Sequence, residues 1–264
     1  MSQFVVEVND ANGRRGMLDF GGIHIMTPAY VPSDEACHMV GEIPDDARFR
    51  SSGACECDLW FQRSDIERFR LHPEEKEMME AAACGRMDGM QSPARLLHFN
   101  VFSDVQVLQK ESLIDLLSLQ CRANASVIEI PRVFCDTPAY ERAVQCALKW
   151  HQNAGCETPL MGIARTASDL LMLEQYLPQL GGIGIDCRRF DKQLLYQVRK
   201  RLKQQNVWVH AFSAPLRYSE IMNPGNLRKF INWFGVDTVS SFTMSDRVMQ
   251  YFPAPFPVTG NRNG

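Results

Sequence analysis

At 264 residues, with 45% apolar and 22% charged side chains, the chain has an ordinary globular composition and enough material for one large α/β domain or two small ones. Twenty-eight lysines and arginines against 31 acids leave a formal charge of −3, which excludes a general attraction to a phosphate backbone and confines any nucleic-acid contact to a local patch. Nine cysteines, odd in number and scattered, argue against a disulfide framework; with no basic-then-apolar opening and no run of about 18 apolar residues, a cytoplasmic protein with reduced thiols and no membrane contact is expected.

In chain order, FVVEV and GMLDF around NDANGRRG read as a hairpin with Asn12-Gly13 at its turn, and IHIMTPAYVP as a strand interrupted by proline. Residues 33–100 are rich in acids, arginine and methionine; PEEKEMMEAAAC (73–84) predicts a helix, and the remainder reads as irregular, long loops. KESLIDLLSLQCRA (110–123) is an amphipathic helix leading to the β-rich run VIEIPRVF (127–134). Thr137-Pro138 then supplies an N-cap with proline at the first helical position, and a stripe of Tyr140, Val144, Ala147, Leu148 and His151 runs to a stop at Gly155. PLMGIAR (159–165) is the next strand and TASDLLMLEQYLPQL the next helix. GIGID (182–186) is a third strand, Asp191 caps the helix KQLLYQVRKRLKQQ, and VWVHAFS (207–213) is a fourth strand. A shorter helix over about 226–234 ends at Gly235 and hands over to the apolar run Val236–Phe242 within FGVDTVSSFT.

Strands near 127, 159, 182, 207 and 236, alternating with helices, form the pattern of a parallel sheet covered by helices. A doubly wound sheet and a closed barrel both fit. No strand is followed by G-x-G-x-x-G or a P-loop, and the glycines of GGIGID precede or lie inside the strand, so the barrel is favoured. A barrel typically takes roughly 250 residues and would use 1–264 as one domain.

Three stretches, taken in order, resemble tRNA-guanine transglycosylases: GRRGMLDFGGIHIMTPAYVPS (13–33), SVIEIPRVFCDTPAYERAVQCALKWHQNAG (126–155) and VWVHAFSAP with FGVDTVSSF (207–242). The resemblance implies a compact (β/α)8 TIM-type barrel. In that family an aspartate at the end of the late strand attacks the ribose anomeric carbon, guanine leaves, and a 7-deazaguanine derivative takes its place in tRNA, or in DNA among relatives. The oxocarbenium-like centre needs a carboxylate to trap it. Matching GVDTVSSF to the family pattern puts Ser240 at that position, and a hydroxyl without an adjacent base stays protonated near neutral pH.

Other positions depart as well. Where the family has a base-gripping glutamine-glycine pair, this chain has GIARTA with Arg165, and where it has a glycine-rich loop, this chain has GIDCRR. The aspartate expected after strand 127–131 is replaced around Arg132, with Glu129 and Asp136 nearby. The family's zinc site has no counterpart, since no cysteine follows Cys187 and CECD (55–58) offers two thiols without a second pair; neither metal, zinc subdomain nor cofactor is expected.

Glu129, Arg165, Asp186 and His210 each fall near the C-terminal end of an expected strand, where barrel sites are assembled. They read either as acid/base or base-binding groups of one pocket or as an ion-pair network fixing strand ends, with His210 alone reading as a core histidine. Ser240 and Ser241 read as packed hydroxyls or as hydrogen-bond donors to a pocket, and Asp237 as a cap or arginine partner or a ligand contact. Arg188, Arg189, Arg199, Lys200, Arg201 and Lys203 are the candidate phosphate-binding patch. The leading expectation is a divergent, non-catalytic accessory protein of 7-deazaguanine modification that binds tRNA, DNA or a transglycosylase-type subunit in a homo- or hetero-oligomer; the family contains heterodimers with one structural subunit. The alternative is an active base-exchange glycosyltransferase or nucleosidase in which Asp186 or Glu129 has taken over the carboxylate role.

Overall fold

The structure is a computed structural model that describes residues 3–10, 13–32, 53–61, 65, 68, 71–90, 92–101, 108–134, 136–188, 192–214, 231 and 235–241. Strands β1 (Gln3–Asp10), β2 (Gly13–Phe20) and β3 (Ile23–Thr27) form an antiparallel sheet in the order β1-β2-β3. The expected hairpin is present, with Asp10 opposite Gly13; its turn residues 11 and 12 lie outside the described residues.

The second sheet has six parallel strands alternating with helices. It is ordered β4-β11-β10-β9-β8-β7, from β4 (Ala29–Tyr30), β7 (Ile128–Ile130), β8 (Leu160–Ala164), β9 (Gly182–Asp186), β10 (Trp208–Ala214) and β11 (Thr238–Ser241). Its covering helices are α2 (Lys110–Arg122), α3 (Thr137–Ala154), α4 (Ala167–Glu174) and α5 (Lys192–Arg201). Strands such as Leu160–Ala164 are buried along their whole length, which is why they are nearly continuous apolar runs. The expected short helix over 226–234 and the Asp191 cap lie outside the described residues, apart from helical Ile231.

Two details differ from the sequence reading. Asp136, not Thr137, caps α3: its carboxylate accepts from the Ala139 amide at 2.7 Å, leaving Thr137 and Pro138 in the first turn. Residues 33–100 hold more than loops and a helix. Strands β5 (Ala54–Phe61) and β6 (Ala94–Val101) pair in parallel over eight residues, joined by α1 (Pro73–Asp88). The Glu56 amide donates to the Pro32 carbonyl beyond β4 at 2.9 Å, and the Ser126 amide before β7 donates to the Arg95 carbonyl of β6 at 2.8 Å.

Apolar side chains fall into two clusters on opposite faces of the strands. One, with Leu117, Ile130, Tyr140, Leu173 and Val198, fills the space between strands and helices. The other joins Phe4, Leu18, Phe20 and Ile25 of the first sheet to Leu96, Met161, Ile163, Trp208 and Phe212. Phe20 meets Trp208 edge to face at 5.3 Å, so the antiparallel sheet caps this second face. Arg14 fastens the cap: buried, it donates through Nε to Asp237 Oδ1 at 2.6 Å, through Nη1 to the carbonyls of Leu202 and Gln205, and through Nη2 to that of Val207. Close packing of the second face requires Gly184, where a Cβ would lie 2.4 Å from Ile163 and 2.5 Å from Phe212.

Candidate functional site

The second face carries polar groups as well as apolar ones, supplied by alternate residues of successive strands. On β5, Cys57, Leu59 and Phe61 join the helix-side cluster, which leaves Glu56 and Asp58 on the other side. On β6, Leu97 and Phe99 do the same and leave His98 and Asn100. These four meet Glu129, Asp186, His210, Thr238 and Ser240 from the six-stranded sheet, and all nine are buried.

His210 is held between a hydroxyl and a carboxyl. Trp208 Nε1 donates to Thr238 Oγ1 at 2.7 Å, and the same hydroxyl is hydrogen-bonded to His210 Nδ1, also at 2.7 Å. Nε2 of His210 is hydrogen-bonded to Glu56 Oε2 at 3.1 Å. Burial, reinforced by His98, lowers His210 to about 3, so the ring is neutral.

His98 behaves oppositely. Burial works against its charge, but Glu129 Oε2, 2.6 Å from Nδ1, pushes it above its ordinary range. The ring stacks on Phe212 at 4.2 Å between centroids. Its Nε2 and the Asn100 Oδ1 are buried with no hydrogen-bond partner among the described residues. Glu129 is held further by Gln120, which accepts from its backbone amide at 2.6 Å and donates to its carbonyl at 2.8 Å.

Two more carboxyls complete the cluster. Burial raises Glu56 to about 7, against the opposing pull of His98 and Ser240. Asp58 also rises to about 7, through burial and then the proximity of Glu56, and it accepts from Asn100 Nδ2. Near neutral pH these two groups share protons.

Asp186 is the reverse case. Burial would raise it, but Arg188 and Arg165 hold it far below the usual carboxylate range. Arg165 Nε donates to Oδ2 at 2.8 Å, while Arg188 reaches both oxygens at 3.1 Å and also donates its backbone amide. The Arg188 guanidinium lies over the Trp60 ring, 5.6 Å from its centroid.

The structure thus brings Glu129, Asp186, Arg165, His210 and Ser240 to one face, together with Glu56, Asp58, His98 and Asn100, which the sequence reading missed. Alternation in CECDL, residues 55–59, with cysteine counted as apolar, was the available signal for Glu56 and Asp58. Ser240 is fully buried: its hydroxyl oxygen accepts from the Ser213 amide at 3.3 Å, and its single proton lies within reach of the Glu56 carboxyl, which it lowers, and of the Ala211 carbonyl at 3.5 Å. Ser241 belongs to β11, with Ala214 as its pairing partner.

Other candidates stand elsewhere. Arg132 pairs with Asp169 of α4 through two contacts at 3.1 Å and lies over the Tyr140 ring. Asp237 precedes β11 and is occupied by Arg14 and, at 2.7 Å, by the Val209 amide. The candidate basic patch is divided. Arg188 faces Asp186 just beyond β9, whereas Arg199, Lys200 and Arg201 sit on the last turn of α5, Lys203 follows, and this segment leads into the start of β10. Arg201 is paired with Glu174 at 2.9 Å, and Arg189 lies outside the described residues. Among the described residues, no group of three or more His, Cys, Asp and Glu side chains is placed to hold a metal ion, and no helix is long and apolar enough to cross a membrane.

Chemically, the cluster offers two protonatable carboxyls, an imidazole whose charged form Glu129 favours and a carboxylate neutralised by two guanidiniums. No protein-family model matches the chain, and no curated protein matches it.

Proposed function

We propose that this chain is a transglycosylase-like (β/α)8 barrel protein that serves 7-deazaguanine modification as an accessory, non-catalytic subunit, binding nucleic acid or a catalytically competent transglycosylase. Closure of the barrel is supported by the two backbone hydrogen bonds that link β5 and β6 to the β4 and β7 edges of the six-stranded sheet. The ring would then run through eight strands, β4 to β11, with the antiparallel sheet across one end.

The observation that carries the functional reading is Ser240. At the position where the resemblance expects an anionic nucleophile stands a fully buried hydroxyl, engaged with the backbone of β10 and with the Glu56 carboxyl. The two carboxylates proposed to replace it are also engaged, Asp186 by two arginines and Glu129 by His98. A carboxylate neutralised by two guanidiniums is a weak nucleophile toward a sugar centre.

A second reading is favoured by Glu56 and Asp58, whose raised values near 7 suit proton transfer in a base-exchange glycosyltransferase or nucleosidase. One experiment separates the readings. The purified chain, alone and mixed with a catalytically competent transglycosylase, is given tRNA and DNA carrying labelled guanine, and exchange is followed with size-exclusion chromatography alongside. The accessory reading expects no exchange by the chain alone, a stable hetero-complex, and faster exchange by the partner. Exchange by the chain alone, lost in Asp58→Asn, Glu129→Gln or Asp186→Asn but kept in Ser240→Ala, overturns it.

A further inference from the structure

Cys121 and Cys156 lie outside the polar cluster and take no part in the proposed function. Their Sγ atoms are 3.5 Å apart, and both residues are partly exposed. Each is anchored at the C-terminal end of a helix that is closed by a left-handed residue. Cys121 is in the last turn of α2, where its carbonyl accepts from the amide of Asn124, a residue at φ 53°. Cys156 follows Gly155, at φ 59°, and its amide donates to the His151 carbonyl of α3. Two helix ends therefore hold the sulfurs in contact without a bond between them.

We propose that Cys121 and Cys156 form a reversible disulfide that staples the end of α2 to the end of α3 when the protein meets a small-molecule disulfide such as oxidised glutathione. The step balances as thiol–disulfide exchange. A thiolate of the pair attacks one sulfur of the oxidant, which releases one glutathione thiolate and leaves a mixed disulfide. The second protein thiol loses its proton to solvent and attacks the protein sulfur of that mixed disulfide, releasing the other glutathione. Two protein thiols are oxidised, and one disulfide is reduced to two thiols. Burial and the neighbouring Cys156 push the Cys121 thiol up to about 12, so formation of the bridge is faster at higher pH.

The test uses the full chain, incubated with oxidised glutathione at pH 8 and digested under non-reducing conditions for mass spectrometry. The expected result is one cross-linked peptide pair containing Cys121 and Cys156, reversed by dithiothreitol, and a melting temperature raised by roughly 5–10 °C, as for closure of a loop of this length. Cys121→Ser and Cys156→Ser should each abolish the cross-link and the rise in melting temperature, with the reduced variants melting as the reduced parent does. Separate glutathione adducts on both residues, bridges to other cysteines, or free thiols after oxidation of a protein whose circular dichroism shows it folded would each overturn the proposal.

Discussion

At the residue scale the buried carboxyls make opposite contributions. Asp186 is stabilised as an anion by two guanidiniums, whereas Glu56 and Asp58 are stabilised as neutral acids by burial. A group whose folded value lies above its unfolded one binds its proton more tightly in the native state. Its stabilisation is complete below the unfolded value, near 4, and is lost as pH rises through about 7. His210, held near 3, acts in the reverse sense, but only below its unfolded value of about 6.5. Above that pH the two acids, His98 and the upper end of the titration of Asp237, which burial raises to about 6, remain, and all lose stabilisation in the same direction. Urea denaturation from pH 6.5 to 8 is therefore expected to show stability falling with pH. The fall should be shallower in Glu56→Gln and Asp58→Asn, each variant removing about 0.8 kcal/mol of the difference. An unchanged slope in both variants would show that the two acids are ionised in the native state.

At the element scale, legibility followed the chemistry of each strand's two faces. β8, β9 and β10 are apolar on both sides or nearly so, and the runs LMGIA, GIGID and WVHAFSA announce them. β5 and β6 place Glu56, Asp58, His98 and Asn100 on one face, so their local polarity reads as loop although every residue of each strand from Ala54 to Leu59 and from Leu96 to Asn100 is buried. Only partners distant in sequence, such as His210 for Glu56, make those side chains tolerable inside. The Asp136 cap was missed by one residue, because Asp, Thr and Pro in succession offer two competing starts and side-chain geometry decides between them. β9 is the element most sensitive to volume. Gly184→Ala would drive a methyl into Ile163 and Phe212, and chemical denaturation is expected to register a loss of about 1–3 kcal/mol.

At the scale of the whole molecule, the alternating order of strands and helices was readable in the sequence, whereas the contribution of residues 54–61 and 94–101 was not. The proposed barrel closure rests on the Glu56 amide at one seam and the Ser126 amide at the other, where the Arg95 amide also donates to Ser126 Oγ at 3.0 Å. If the ring is closed, native-state hydrogen exchange will find the Glu56 and Ser126 amides protected to within about tenfold of the central β9 amides, because opening either seam requires cooperative unfolding of the ring. Exchange at the rate of surface loops would mean an open sheet flanked by an independent pair.

The Arg14 clamp has a consequence for the order in which the molecule can be completed. Its carboxylate partner lies 223 positions further along the chain, and its carbonyl partners 188 to 193 positions further. During synthesis the guanidinium meets its first carbonyl partners only once residues 202–207 have emerged, and its carboxylate arrives later still, together with β11, to which the short strand Ala29–Tyr30 pairs. Late-arriving Asp237 is the latch on a lid made first.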